Sequence, residues 1–113
     1  MRPGYTYIVT NKYRTVFYIG VTSNIVVRYQ QHRDGDGSTF TRKYNCSHLI
    51  YVEQHPNMIA AIAREKTLKK WSRTKKLNLV RLVNPELRSI HPSWPPTIIS
   101  KSLVVKPKAP RTK

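Results

Sequence analysis

The sequence predicts a small α+β domain, a three-stranded antiparallel sheet flanked by helices in the order β-β-α-β-α-α. Three observations lead there. Residues 5–10 (YTYIVT) and 16–21 (VFYIGV) are rich in β-branched and aromatic residues and stand either side of the polar link NKYRT, the pattern of a β-hairpin. A third run of the same kind, LIYVE at 49–53, comes later. Between and after these runs, helix-forming segments begin at capping side chains and stop at Gly or Pro.

After the hairpin, TSN offers capping side chains to IVVRYQQH, and the DGDG of residues 34–37 breaks the helical run, which gives a helix over 25–32. STFTRKYNCSH reads as a basic, polar loop. Glu53 closes the third strand, His55-Pro56 ends the extended run, and Asn57 caps MIAAIAREKTLKKW, whose Ala, Leu, Met, Glu and Lys content favours helix. Ser72 caps a last helix through TKKLNLVRLV, where Leu79, Leu82 and Val83 recur at helical spacing and Asn84-Pro85 stops it. From His91 onward prolines are frequent and acids vanish. Residues 1–90 are therefore expected to form one domain and 91–113 a basic, poorly ordered tail, in which IISKSLVV is available as a short edge strand.

Charge narrows the function. In 113 residues, 21 Lys and Arg face 5 Asp and Glu, a formal net charge of +16. Such a chain repels itself, and a polyanion that releases its condensed counterions on binding relieves the strain. Nucleic acid is the expected partner. An anionic membrane surface would also satisfy the charge, but no basic helix carries a continuous bulky apolar face. No stretch approaches the ~20 apolar residues of a membrane span, and MRPGYTYIVTNKYR lacks a signal-peptide core, so a cytoplasmic location is expected. The one cysteine, Cys46, has no partner for an internal disulfide. It reads as a half-buried structural residue, with a reactive or metal-binding thiol as the alternative. No Cys or His pair stands at zinc-ligand spacing.

One acid falls in an unexpected place. Turning the main helix by about 100° per residue puts Met58, Ala61, Ile62 and Leu68 on one stripe and Arg64, Lys66, Thr67 and Lys70 elsewhere. Glu65 lands inside the apolar stripe, where a carboxylate is costly unless paired, hydrogen-bonded or metal-bound. A salt bridge to a neighbouring Lys or Arg is one explanation. A divalent cation is the other: of the remaining acids, Asp34 and Asp36 lie in a Gly-flanked turn, Glu86 comes after Asn84-Pro85, and Glu53 ends a strand. A site with a single carboxylate suits Mg²⁺, which keeps several waters. In the first helix, Arg28 and His32 are four residues apart and share a face with Ile25 and Tyr29. They form either a solvated polar face or, with Tyr7 and Tyr18 of the hairpin, a set of groups able to hydrolyse a phosphodiester.

The tripeptides YTY (5–7) and YIG (18–20) resemble the paired signatures of the GIY-YIG nuclease superfamily, the first keeping only its final tyrosine. The resemblance continues through YIGVTSNIVVRYQQH, with an Arg ten residues after the signature Tyr and a His four beyond it, and through AIAREKTLKKWSRTKK around Glu65. It spans roughly residues 5–84 and looks closest to short stand-alone bacterial members related to the nuclease module of the excision-repair endonuclease. It implies one divalent metal, Mg²⁺ or Mn²⁺, and DNA backbone cleavage in a bacterial cytoplasm or nucleoid, in repair or processing. Carried over residue by residue, Tyr7 and Tyr18 would orient or deprotonate the attacking water, Arg28 bind the scissile phosphate, His32 assist the tyrosine and Glu65 hold the metal. Tyr5 and Gly20 are signature positions, with Gly20 expected in a turn that a phosphate or helix approaches closely. Positive charge from Arg28 and the metal is expected to lower a phenol pKa toward neutrality. Val21 stands where some members carry Lys, and either Asn78 or Asn84 would fill the position of a further Asn.

Two basic clusters would track DNA phosphates: Arg42 with Lys43, and Lys69, Lys70, Arg73, Lys75 and Lys76. Trp71 and Tyr44 among them either stack on bases or pack a helix junction. No base-reading motif is visible, so little sequence specificity is expected. Two rival readings stand beside the nuclease: a catalytically inactive nucleic-acid-binding module of the same fold, and a basic RNA- or ribosome-associated protein. The second leaves Glu65 unexplained.

Overall fold

The computed structural model describes residues 2–35, 39–91, 98–99 and 104–105. Strands β1 (Gly4–Thr10) and β2 (Phe17–Thr22) form the expected hairpin, and β1 pairs antiparallel on its other side with β3 (His48–His55). Three-stranded antiparallel pairing with flanking helices is the predicted class. Beyond β3 the sheet adds two short strands, β4 (Ile98–Ile99), parallel to β3, and β5 (Val104–Val105), in the order β2-β1-β3-β4-β5. The apolar tail segment thus joins the sheet, while the other tail residues, 92–97, 100–103 and 106–113, lie outside the described residues.

Alternation along the strands sorts side chains onto two faces. Ile8, Ile19, Ile50 and Tyr51 pack with Leu68, Leu79, Val80 and Leu87 on one. Tyr7, Val9, Leu49 and Val52 pack with Ile25 and Cys46 on the other. A register shift between Ile8 and Val9 gives β3 an extra residue, so that consecutive Ile50 and Tyr51 serve the same cluster. Cys46 is fully buried and burial raises its thiol pKa, which makes it a core residue rather than a nucleophile.

Capping side chains set the helices. Asn24 accepts from the Val27 amide to start α1 (Ile25–Arg33), Asn57 from Ala60 to start α3 (Met58–Lys69), and Ser72 from Lys75 to start α4 (Arg73–Arg81). The expected basic loop contains a helix of its own, α2 (Thr39–Lys43). Thr and Phe have weak intrinsic helix preference, and this turn is held by tertiary contact: Thr41 is buried and Phe40 stacks on Tyr18 at 5.6 Å. The third strand runs past Glu53 to His55, because Gln54 and His55 pair with Tyr5 and Gly4. Gly4 also lets α3 come down on the sheet, since a Cβ there would lie 2.8 Å from the Ala61 Cβ.

Two sequence expectations about α3 change. Of the apolar stripe, Ala61 and Leu68 are buried and Met58 is half-buried, but Ile62 is exposed. Arg64, expected outward, turns inward to Glu53, the acid expected merely to end a strand. Glu53 is fully buried, and its carboxylate accepts from Tyr51 Oη (2.6 Å), His55 Nε2 (2.9 Å) and Arg64 (3.0 Å). Tyr51, Glu53 and His55 are alternate residues of one strand and so share a face. Removing one partner of such a pair leaves a buried charge without compensation. Glu53→Ala should therefore destabilise the protein by about 3–5 kcal/mol in urea denaturation, and a loss under about 1 kcal/mol would show that the cluster is not what holds α3 to the sheet.

Candidate active site

The hairpin register places the two phenols. Tyr7 lies opposite Gly20 and Tyr18 opposite Val9, so Tyr7, Gly20 and Tyr18 share the face that α1 covers. Gly20 is not in a turn as expected; it sits within β2, and a Cβ there would fall 2.3 Å from Tyr7 Oη. The glycine is needed because the Tyr7 ring lies across it. β2 is an edge strand, so the Tyr7 hydroxyl is directed toward the margin of the sheet.

From the other side, α1 brings Arg28 and His32 to this hydroxyl on one helical face. Tyr7 Oη and His32 Nε2 are 2.8 Å apart, and Arg28 Nε donates to Tyr7 Oη at 3.2 Å. With Arg28 donating to the oxygen, the phenolic proton points to His32, which makes Nε2 the acceptor and assigns the ring proton to Nδ1. Nδ1 has no hydrogen-bond partner among the described residues. His32 is 3% exposed, and burial, followed by the charge of Arg28, lowers its pKa to about 4. The imidazole is neutral at pH 7.

Arg28 holds both phenols together. Its pKa is raised, first by the hydrogen bond to Tyr7 and also by Tyr18. Its Nη1 donates to Gln31 Oε1 at 2.9 Å, a partner three residues on that no sequence signal singles out. Tyr7 corrects one expectation. Burial raises its pKa and outweighs the lowering effect of Arg28, so Tyr7, 1% exposed, is an inner, protonated phenol. Tyr18 is the half-buried one, with its ring 6.0 Å from that of His32.

Glu65 approaches from α3. Its charge acts on Tyr7, its side chain is 16% exposed, and Oε2 pairs with Lys69 Nζ at 3.0 Å. The salt bridge foreseen as one explanation is therefore present, with the carboxylate still partly open to solvent. Tyr5 packs at the margin of the core cluster around Tyr7. Asn84 is structural, since its amide donates to the carbonyls of Ile50 and Arg88 and its Oδ1 accepts from the Arg88 amide. Asn78 is exposed on α4.

The basic clusters divide. Arg42 lines, with His32 and Arg33, a cleft beside α1, and Lys43 is exposed on α2. Lys69 joins the site edge through Glu65, and Lys70 is exposed at the end of α3. Arg73, Lys75 and Lys76 belong to α4, across the sheet from α1: Arg73 lies over Phe17 at 4.6 Å, Lys75 over Trp71 at 4.2 Å, and Lys76 lines a small cavity with Phe17. Trp71, also contacted by Arg64, packs the α3–α4 junction and does not reach the phenols. Phe40, which nothing in the sequence pattern marks, stacks on Tyr18.

The neutral His32 has a consequence for stability. Its folded-state pKa lies below the ordinary histidine value, so between about pH 6.5 and pH 4 the unfolded chain binds more protons than the native one. Its contribution is complete above pH 6.5 and is lost as pH falls toward 4, by roughly 3 kcal/mol in all. Urea denaturation of wild type and His32→Gln at pH 7 and pH 4.5 should show the wild type losing more stability on acidification, and parallel losses would contradict this.

Residues 3–78 match the GIY-YIG catalytic domain. A UPF0213 protein of Syntrophus aciditrophicus is 34% identical over 87 residues, covering 76% of this chain and 98% of that protein. A UPF0213 protein of Staphylococcus aureus is 31% identical over 64 residues, 57% of this chain and 78% of that one. The solution NMR structure of a UPF0213 protein from Bacillus halodurans is 30% identical, covers 74% of this chain and 88% of that chain, and superposes with a TM-score of 0.49. With its two signature strands, the α1 face and Glu65 all inside the matched span, this chain belongs to the GIY-YIG family.

Proposed function

We propose that the protein is a DNA endonuclease that hydrolyses phosphodiester bonds with one divalent cation and little sequence specificity, in DNA repair or processing. The observation that carries this reading is the sharing of Arg28 between Tyr7 and Tyr18, backed by a neutral His32. A guanidinium between two phenols stabilises a phenolate and can also neutralise a phosphate oxygen.

The chemistry depends on which phenol is accessible. Tyr18 accepts the proton of the attacking water, and Arg28 holds the phenolate that makes this possible. The water oxygen bonds to phosphorus as the bond to the leaving sugar oxygen breaks. Tyr7 stays protonated and donates to His32 Nε2, which fixes the phenol and, through it, the position of Arg28. Arg28 shares the negative charge that grows on the phosphoryl oxygens. The donor set fits a hard, largely hydrated cation. Glu65 is a partly open carboxylate beside the phenols, and among the described residues no group of three His, Cys, Asp or Glu offers a closed cage. Glu65 would hold Mg²⁺ or Mn²⁺, displacing the half-exposed Lys69 ammonium, and the ion would supply positive charge to the phosphoryl and leaving oxygens. Nucleic acid as substrate accords with the net charge of +16. No helix of the described residues is long and apolar enough to cross a membrane.

The test is cleavage of single-stranded, branched and duplex DNA with Mg²⁺ or Mn²⁺, and with chelator. Arg28→Ala and Glu65→Ala should each lower the cleavage rate by at least about 100-fold while DNA binding stays largely intact. Metal-independent binding without cleavage of any of these DNAs would instead support the binding-module reading.

A further inference from the structure

Helix α2, unexpected from the sequence, and the residue just beyond it carry two aromatic rings that the proposed chemistry does not use. Phe40 stacks on Tyr18 at 5.6 Å with 30° between the planes, and Phe40 meets Tyr44 at 4.7 Å. The rings form a continuous series leading outward from the phenol beside Arg28. Yet Phe40 is 41% and Tyr44 40% exposed, so large apolar faces stand in solvent beside the site. Their setting is cationic. Arg42 and Lys43 are exposed on the same helix, Lys43 Nζ lies 5.5 Å over the Tyr44 ring, and Arg33 and Arg42 line the adjoining cleft. Residues 39–47 contain no acid.

Aromatic rings beside phosphate-binding cations recognise nucleobases by stacking, which tolerates any base because every base has a π-face. A base within a continuous duplex has both faces covered by its neighbours, so a protein ring can stack only on a base that is unpaired or lifted from the helix. We infer that Phe40 and Tyr44 form a stacking shelf for an unpaired base next to the scissile phosphate, and that the substrate is DNA with a single-stranded segment at the cleavage point. This rests on the nuclease reading for the position of the scissile phosphate, though the shelf itself binds without cleavage. The shelf explains why the aromatics are exposed and why they begin at Tyr18: a base on Phe40 leaves its own phosphate beside Arg28.

The experiment uses the full chain with a single-stranded oligonucleotide, a flap and a blunt duplex, each carrying 2-aminopurine. Binding is read without Mg²⁺ and cleavage with it. Wild type should quench 2-aminopurine in the single strand and flap. Phe40→Leu, which keeps an apolar cover on Tyr18 but removes the ring, should abolish the quench and lower the single-strand-to-duplex preference about tenfold, the size of one base–aromatic stack. Phe40→Trp should retain both. Equal weakening on single strand and duplex, or an unchanged preference in Phe40→Leu, overturns the shelf. The two readings fail separately. A wild type that quenches and binds but cuts nothing defeats the nuclease and leaves the shelf standing. A wild type that cuts, with Phe40→Leu unchanged in preference, does the reverse.

Discussion

The buried hydrogen bond between Tyr7 Oη and His32 Nε2, 2.8 Å long, is the contact on which the arrangement of the site depends. It joins the central strand of the hairpin sheet to α1 at the one place where a strand residue without a side chain, Gly20, lets the Tyr7 ring lie flat against its neighbour. Because Tyr7 donates to the imidazole, its oxygen is left to accept from Arg28. The guanidinium is thereby held beside both Tyr7 and Tyr18. Each of these groups would be poorly suited to the site alone. A buried phenol is hard to ionise and a buried imidazole hard to protonate, so the pair stays neutral and the cation is the charge that a substrate meets.

The two carboxylates of α3 and β3 divide structure from chemistry. Glu53 is fully buried and both its oxygens are engaged, so it serves to hold Arg64 and with it the rotation of α3. Glu65 is the next residue after Arg64, about 100° further round the helix. Once Arg64 is fixed to β3, Glu65 is aimed toward the β2 edge, where its charge reaches Tyr7. Its ion pair with the half-exposed Lys69 contributes little to stability, which leaves the carboxylate available for another cation.

Much of the fold was legible because its elements announce themselves locally. β-Branched alternation marked the hairpin, and Asn24, Asn57 and Ser72 marked helix starts that the backbone uses. The i, i+4 spacing placed Arg28 and His32 together, and the signature positions named Tyr7, Tyr18 and Glu65. The features that escaped are set by tertiary context. α2 has no propensity signal because its support is Tyr18, distant in sequence. Glu53 looked like a strand end because the pairing that extends β3 to His55 comes from Gly4 and Tyr5, although the alternation of Tyr51, Glu53 and His55 was there to suggest a shared buried face. The expected lowering of the phenol pKa failed at Tyr7 because burial, invisible to charge counting, outweighs Arg28.

The central claim is that His32 is a neutral acceptor for the Tyr7 proton. It is tested most directly by two-bond ¹H–¹⁵N NMR of the imidazole as a function of pH. The expected result is a neutral ring protonated on Nδ1, with Nε2 bare, persisting from pH 7 until protonation near the value of about 4 set by burial and Arg28. An imidazolium at pH 6, or a neutral ring protonated on Nε2, would contradict it.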